Sequence, residues 1–419
     1  MRSLIAALAA LALASTSATA QAPSPTSFEA EPVLRAQDLV TPELLKGPRF
    51  KVDAQAPVKG FLARFTIRSD FGTFEAHGIH MLQVRVREVV ALGHLEEMSK
   101  SKEFAQAAGK AIARPVTSTA NMIVHPVETI SGIPDGVGRM YDRVKLGSEK
   151  VYEAATAKDT SDSDKVADVS KRVGGITVSA LGYEKERRDL AKGLAIDPYT
   201  TNTVLAKKLD DMAWVAFSGR IGIQAATAIF VPYSMAMSAV TITNTAVYDT
   251  PAGDLMNQAQ AAFAATGASD AAVAALMKNP QYSLSVLTAL AQGCQRLRTV
   301  KGVASVVAFA SIARTQDETR LVAAAVNMLA RHHETVQALA QLAAPGPIIG
   351  RTASGAVVVP APVDYLAWTA RAGGFAARED LKAQRRTVWL SGRMSPRAKK
   401  EFAARGWKVD ESYSIAAER

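Results

Sequence analysis

From Ile176 to Ala344 one helical pattern follows another, and the breaks between them constrain the fold more than any other feature of the chain. Leu181–Leu194 predicts a helix that Asp197-Pro198 closes. Asn202 caps the next, which carries Leu205, Leu209, Met212 and Trp214. Further helices are predicted over Ser269–Met277, Ser283–Leu297, Val303–Ala313 and Glu318–Leu342, separated by Gly267, Asn279-Pro280 and Gly302. Alanine is abundant at these positions, and small side chains let helices approach closely. The pattern predicts a helical bundle or stacked helix pairs.

Both flanks differ in texture. Phe61, Ala63, Phe65 and Ile67 alternate with Leu62, Arg64, Thr66 and Arg68, the period of a half-buried strand. Ser69-Asp70 and Gly72 turn it into a return strand ending at Ala76. Ile79 to about Lys100 reads as a helix, although Val84 and Val86 alternate with Arg85 and Arg87 and keep a third strand open there. Beyond Pro345, Ile348–Thr352 and Ala356–Val359 flank Ala353-Ser354-Gly355 as a hairpin, and Pro362–Ala372 reads as helical. Thr387–Leu390 is a short strand, Ser395 with Pro396 opens a helix that Gly406 ends, and Trp407–Val409 is a last strand.

The expected fold is therefore mainly α, with a small N-terminal β-hairpin and a small C-terminal α+β segment. The expected divisions are a leader over 1–20, an extended Pro-rich segment over 21–59 and a hairpin with helices over 60–158. A linker over 159–175, a helical domain over 176–345 and the C-terminal segment over 346–419 complete them.

The leader carries an address. Arg2, the apolar run Leu4–Ala14 and the small-x-small triplet Ala18-Thr19-Ala20 predict export and cleavage after Ala20, to the periplasm or the outside. The run is about half the ~20 residues a membrane-spanning helix needs. Cys294 is the only cysteine, so no disulfide forms within the chain, and its apolar surroundings read as core.

The formal charge of +10 favours anionic partners, and export leaves an anionic envelope component or an envelope protein rather than nucleic acid. Arg385, Arg386, Lys399 and Lys400 make the C-terminal segment distinctly basic and are the residues expected to meet such a surface. The uncharged stretch Ile221–Tyr248 is long enough to span a bilayer. Its polar load, Pro232 and the basic residues on its leading side favour a buried helix over a span.

No motif identifies a chemistry. His77 and His80 supply two ligands where zinc needs three or four, and His94 lies ~21 Å further along a helix from His80. His333-Glu334 opens a zincin-like pattern, but Gln337 stands where the second histidine belongs. Ser99–Lys102 and Asp70-Phe71-Gly72 match short catalytic patterns without their companions. Asp210-Asp211 and Glu184–Arg188 read as solvated helix faces. No metal and no cofactor is expected.

The leading expectation is an exported, non-catalytic envelope protein that binds a protein partner or an anionic surface. One alternative is a periplasmic hydrolase whose site is assembled from distant residues, to be recognised by a pocket holding His77 or His80 beside a carboxylate such as Glu75 or Glu88. The other is a membrane-inserting protein using residues 221–248.

Overall fold

The alternation at Phe61–Ile67 builds a strand, and that strand is the centre of a sheet rather than half of an isolated hairpin. The computed structural model describes residues 28–102, 104–106, 182–219 and 245–411. The predicted leader, the linker over 159–175 and residues 221–244 of the uncharged stretch lie outside the described residues.

Six strands form the N-terminal antiparallel sheet: β1 (Val33–Arg35), β2 (Lys46–Gly47), β3 (Phe50–Val52), β4 (Gln55–Lys59), β5 (Leu62–Ser69) and β6 (Gly72–His77). β4, β3 and β6 all pair with β5. Ala63, Phe65 and Ile67 are fully buried while Arg64, Thr66 and Arg68 alternate outward. Burying a Phe or Ile side chain contributes about 1.5–3 kcal/mol.

Helix α1 (Ile79–Ser99) lies against this sheet through Leu82, Val86 and Val89, so the helical reading holds there and the third strand does not form. Its far end, at Leu92 and Leu95, packs on α2 (182–193) and α3 (Thr203–Gly219). Asn202 caps α3 as expected, its Oδ1 accepting from the amides of Val204 and Leu205 at 3.1 and 3.2 Å.

The central helices follow the predicted punctuation: α4 (Ala252–Ala264), α5 (Asp270–Lys278), α6 (Leu284–Arg296), α7 (Val303–Ser311) and α8 (Gln316–Thr335). Ser269, Ser283 and Thr315 cap α5, α6 and α8. Cys294 is fully buried among them, and burial pushes its thiol up to about 12.

A second sheet closes the chain: β7 (Leu339–Ala343), β8 (Ile349–Thr352), β9 (Val357–Ala361), β11 (Arg386–Leu390) and β13 (Trp407–Asp410), in the order β13-β11-β9-β8-β7. β9, β11 and β13 run parallel, while β8 is antiparallel to both β7 and β9. β10 (Tyr365–Leu366) pairs in parallel with β12 (Arg393–Met394). Helices α9 (Ala370–Ala376) and α10 (Pro396–Ala404) pack beside this sheet around Trp368, Phe402 and Trp407.

The mainly α expectation is thus overturned. The protein is α/β, 52% helix and 20% strand, with two substantial sheets. Two segments account for the error. The Pro-rich stretch before Phe61 carries four strands of two to five residues, too short for a period-2 pattern to register. The predicted helix Glu318–Leu342 stops at Thr335, where the imidazole of His333 accepts from the Leu339 amide at 2.9 Å and the chain turns into β7.

Candidate functional site

Helix α8 organises the site. Thr315 Oγ1 accepts from the Glu318 amide at 3.2 Å, and Glu318 Oε2 accepts from the Arg314 amide at 2.6 Å, so the helix start is closed from both sides. Asp317 therefore lies in the first turn, where the helix dipole favours a negative charge.

Two side chains of the N-terminal sheet converge on that carboxylate. His77, the last residue of β6, bonds Asp317 Oδ2 through Nδ1 at 2.7 Å, and Arg64 of β5 donates to the same oxygen from Nη1 at 3.0 Å. Arg320, one turn further along α8, has Nη1 3.6 Å from Asp317 Oδ1. Burial pushes the Asp317 carboxyl up, but bonding and charge from His77 and Arg64 outweigh it and hold the group below the usual carboxylate range.

A second carboxylate reaches across from the C-terminal segment. Asp364 accepts from the Ala63 amide at 2.9 Å and from the Ile79 amide at 3.2 Å, and so caps α1 from 285 residues away. Burial pushes its carboxyl up to about 6 against the opposing pull of those amides and of Arg64. Gly392 lets the chain pass here, because a Cβ on it would stand 2.0 Å from the Asp364 carbonyl oxygen.

These groups wall a cleft of about 350 Å³ that His77, His80, Gln83, Asp317, Arg320 and Asp364 line together with Ser391. Beneath it, a small pocket of about 80 Å³ shares His80, Met81 and Arg320 with the cleft. Its floor is a satisfied network. Buried Glu88 accepts from Arg85 Nη1 at 2.6 Å, from Asn202 Nδ2 at 3.1 Å and from the Thr200 hydroxyl. Burial, reinforced by the like charge of Arg85, lowers the Arg320 guanidinium to about 10 against the opposing charges of Asp317, Glu88 and Asp197.

On the other side of α8 lies an apolar cavity of about 780 Å³, walled by Leu321, Val322 and Ala325 of α8, Phe309 of α7, Val359 and Val388 of the C-terminal sheet, and Phe375 and Phe402. Leu321 and Pro362 line both the cavity and the polar cleft, so the two compartments share a wall. At the cavity's margin Ile312 is 67% exposed and stands two residues from Arg314. Arg371 and Arg378 line it as well, so three arginines face one carboxylate, Glu318, among the lining residues. Arg378 is held by Asp380 at 2.6 Å, whereas no ion pair engages Arg314 or Arg371 among the described residues.

The four basic residues singled out in the sequence lie elsewhere. The Arg386 guanidinium stacks 4.8 Å over the Trp407 ring and donates to the Arg405 carbonyl, and Lys399 pairs with Glu411 at 2.6 Å. Arg385 reaches Ser354 at 3.4 Å, and Lys400 is exposed on α10. The clusters read as solvated faces are partly internal: Asp210 is buried, accepts from the Tyr183 hydroxyl at 2.8 Å and forms an ion pair with Arg187 at 2.7 Å. His332 is also buried, stacked 3.7 Å from the Trp389 ring, and burial pushes its imidazole down to about 4.

Among the described residues no three His, Cys, Asp or Glu side chains gather as a metal-ligating set, and no helix is long and apolar enough to cross a membrane. Sequence reasoning singled out His77 but missed Arg64, Asp317, Arg320 and Asp364. Arg64 follows strand alternation, Asp317 a helix start and Arg320 a helix interior, while Asp364 sits in the bend before β10, and only the third dimension joins them. Comparison with known protein families, curated proteins and solved structures finds no match for this chain.

Proposed function

We propose that this is an exported cell-envelope protein that binds an amphiphile, with the apolar chain in the cavity beside α8 and the cavity's margin set against an anionic envelope surface. The observation that carries this reading is the cavity itself. At about 780 Å³ it falls within the roughly 300–1,000 Å³ of ligand pockets, and its walls are apolar. Each methylene moved into such a site contributes about 0.8 kcal/mol. Ten of them therefore supply about 8 kcal/mol gross, enough to offset much of the cost of association.

Charge supports the second half. The chain carries a formal +10, and Arg314 and Arg371 flank exposed Ile312 at the cavity's margin. A basic side chain near an anionic bilayer contributes about 1 kcal/mol. These two arginines are better placed for that role than Arg386 and Lys399, whose charges are engaged within the fold. Export itself rests on Arg2, Leu4–Ala14 and Ala18–Ala20.

Titration with a fluorescent long-chain fatty acid tests the cavity. Saturable binding is expected, weakened at least tenfold by Ala325→Trp, which fills the space. Charge reversal of Arg314 and Arg371 together is expected to abolish sedimentation with phosphatidylglycerol vesicles. Non-saturable uptake, or binding indifferent to Ala325→Trp, would sink the reading.

A further inference from the structure

We infer that the polar cleft beside the cavity is a hydrolytic site for carboxylic esters, in which His77 is the general base, Asp317 its positioning residue and Arg320 the charge that faces the carbonyl oxygen. The inference rests on the amphiphile reading only for the seat of the acyl chain.

His77 and Asp317 are 240 residues apart in sequence, yet Nδ1 and Oδ2 meet at 2.7 Å. A proton on Nδ1, shared with the carboxylate, leaves Nε2 as the basic ring nitrogen. The His77 side chain lines the cleft and is 41% exposed, so substrate and water reach it. Arg64, bonded to the same Asp317 oxygen at 3.0 Å, pins the orienting carboxylate in turn. This is the base-and-orienter arrangement of acyl-transfer sites.

Arg320 supplies the electrostatic part. Its Nη2 donates to Thr201 and Gln316 at 3.2 and 3.0 Å, while Nη1, at 3.6 Å from Asp317, is beyond hydrogen-bond length and keeps a donor for the cleft. Arg85 and Arg320 both donate to the Thr201 hydroxyl oxygen, so two guanidiniums meet at one atom, and developing negative charge on a carbonyl oxygen beside Arg320 relieves their repulsion. The adjoining apolar cavity, which meets the cleft at Leu321 and Pro362, is assigned the acyl chain, with these two side chains yielding to let it cross.

The nucleophile is water. The Ser391 hydroxyl lines the cleft but donates to the Val363 carbonyl at 3.0 Å. His77 Nε2 takes a proton from water as the oxygen bonds to the acyl carbon. The bond from that carbon to the alkoxy oxygen then breaks, and the proton on Nε2 passes to the departing alkoxide. The products are a carboxylic acid and an alcohol, and no oxidant or reductant takes part.

The test uses the full chain with p-nitrophenyl decanoate. Wild type is expected to release p-nitrophenolate faster than the heat-unfolded protein. His77→Ala is expected to lower kcat about 10²- to 10⁴-fold, the usual share of a general base, with part of the rate restored by added imidazole. Asp317→Asn retains an acceptor for Arg64 and is expected to lower kcat with little change in KM, while Lys400→Ala, on α10 and outside the cleft lining, leaves the rate unchanged. Wild-type release no faster than the unfolded control, or a rate unaffected by His77→Gln in a variant with the wild-type urea midpoint, overturns the proposal. So does loss of activity in Ser391→Ala with a trapped acyl-enzyme in wild type. Fatty-acid binding is measured in the same samples: binding without hydrolysis overturns this inference alone, and hydrolysis without binding overturns the cavity reading alone.

Discussion

The two faces of α8 differ by a rotation of one residue and by everything else. Glu318, Leu321, Val322 and Ala325 line the apolar cavity, whereas Asp317, Arg320, Leu321 and Ala324 line the polar cleft. Each set follows the spacing i, i+3, i+4, i+7, and a shift of one position turns the stripe by about 100°. One helix thereby presents an apolar wall on one side and a half-buried ion cluster on the other, with Leu321 on the boundary. The difference shows that the cavity depends on volume, while the cleft depends on which partner each charge keeps.

The sharpest way to break this contrast is on the polar side. Asp317→Ala leaves Arg64 and Arg320 without their shared carboxylate. The expected loss, read from urea unfolding, is about 2–5 kcal/mol, because an uncompensated charge remains in a mostly buried place. Asp317→Asn should cost clearly less. Equal losses for the two variants would show that the cluster contributes packing rather than charge.

Next in size is the apolar side. Ala325→Trp is expected to weaken fatty-acid binding at least tenfold, or about 1.4 kcal/mol. The same enlargement at Ala324, one position round the helix and facing the cleft, should leave binding within twofold while reducing ester hydrolysis. If both positions affect binding alike, Leu321 and Pro362 do not separate two compartments.

Gly392→Ala presses a methyl group onto the Asp364 backbone, and overpacking of this kind costs about 1–3 kcal/mol. Thermal unfolding should register the loss. Loss of the cap on α1 should show as faster hydrogen exchange of the Ile79 amide.

The smallest effects are those of pH, and they run in opposite directions. Asp364 has a folded value of about 6, raised by burial from its ordinary value. Its contribution to stability is fullest below the unfolded value near 4 and declines as pH rises through 6. His332 is lowered by burial to about 4. Its contribution is full above about 6.5 and declines as pH falls toward 4. Between pH 4 and 6.5 the stability difference between wild type and Asp364→Asn should therefore shift against wild type as pH rises. The difference between wild type and His332→Phe, which keeps a ring against Trp389, should shift in favour of wild type. Slopes of the same sign in both pairs would exclude burial as the cause of one of them.

Local rules made much of the fold legible. Asn202, Ser269, Ser283 and Ser395 start helices where their side-chain oxygens accept first-turn amides. Gly302 ends a segment with φ +84°, in close approach to Leu342. The strands before Phe61 were illegible because they are too short to show a period and include Pro57, which lacks a ladder donor. The end of α8 was hidden because β7 begins only four residues later and, with a register shift between Leu339 and Gln341, buries Leu339 and Leu342, a spacing of three that a helix also uses.

By itself the sequence determined where the capped helices α3, α5, α6, α8 and α10 begin, that β5 is half-buried, that no disulfide forms within the chain and that its charge is positive. Those properties depend on neighbours within a few residues, through backbone hydrogen bonding and side-chain period. Tertiary structure alone decided that His77 meets Asp317, that Asp364 caps a helix 285 residues away and that α7, α8 and the C-terminal sheet leave a cavity between them. Contacts of that span are chosen by the joint packing of whole elements, and no local pattern encodes the volume those elements fail to fill.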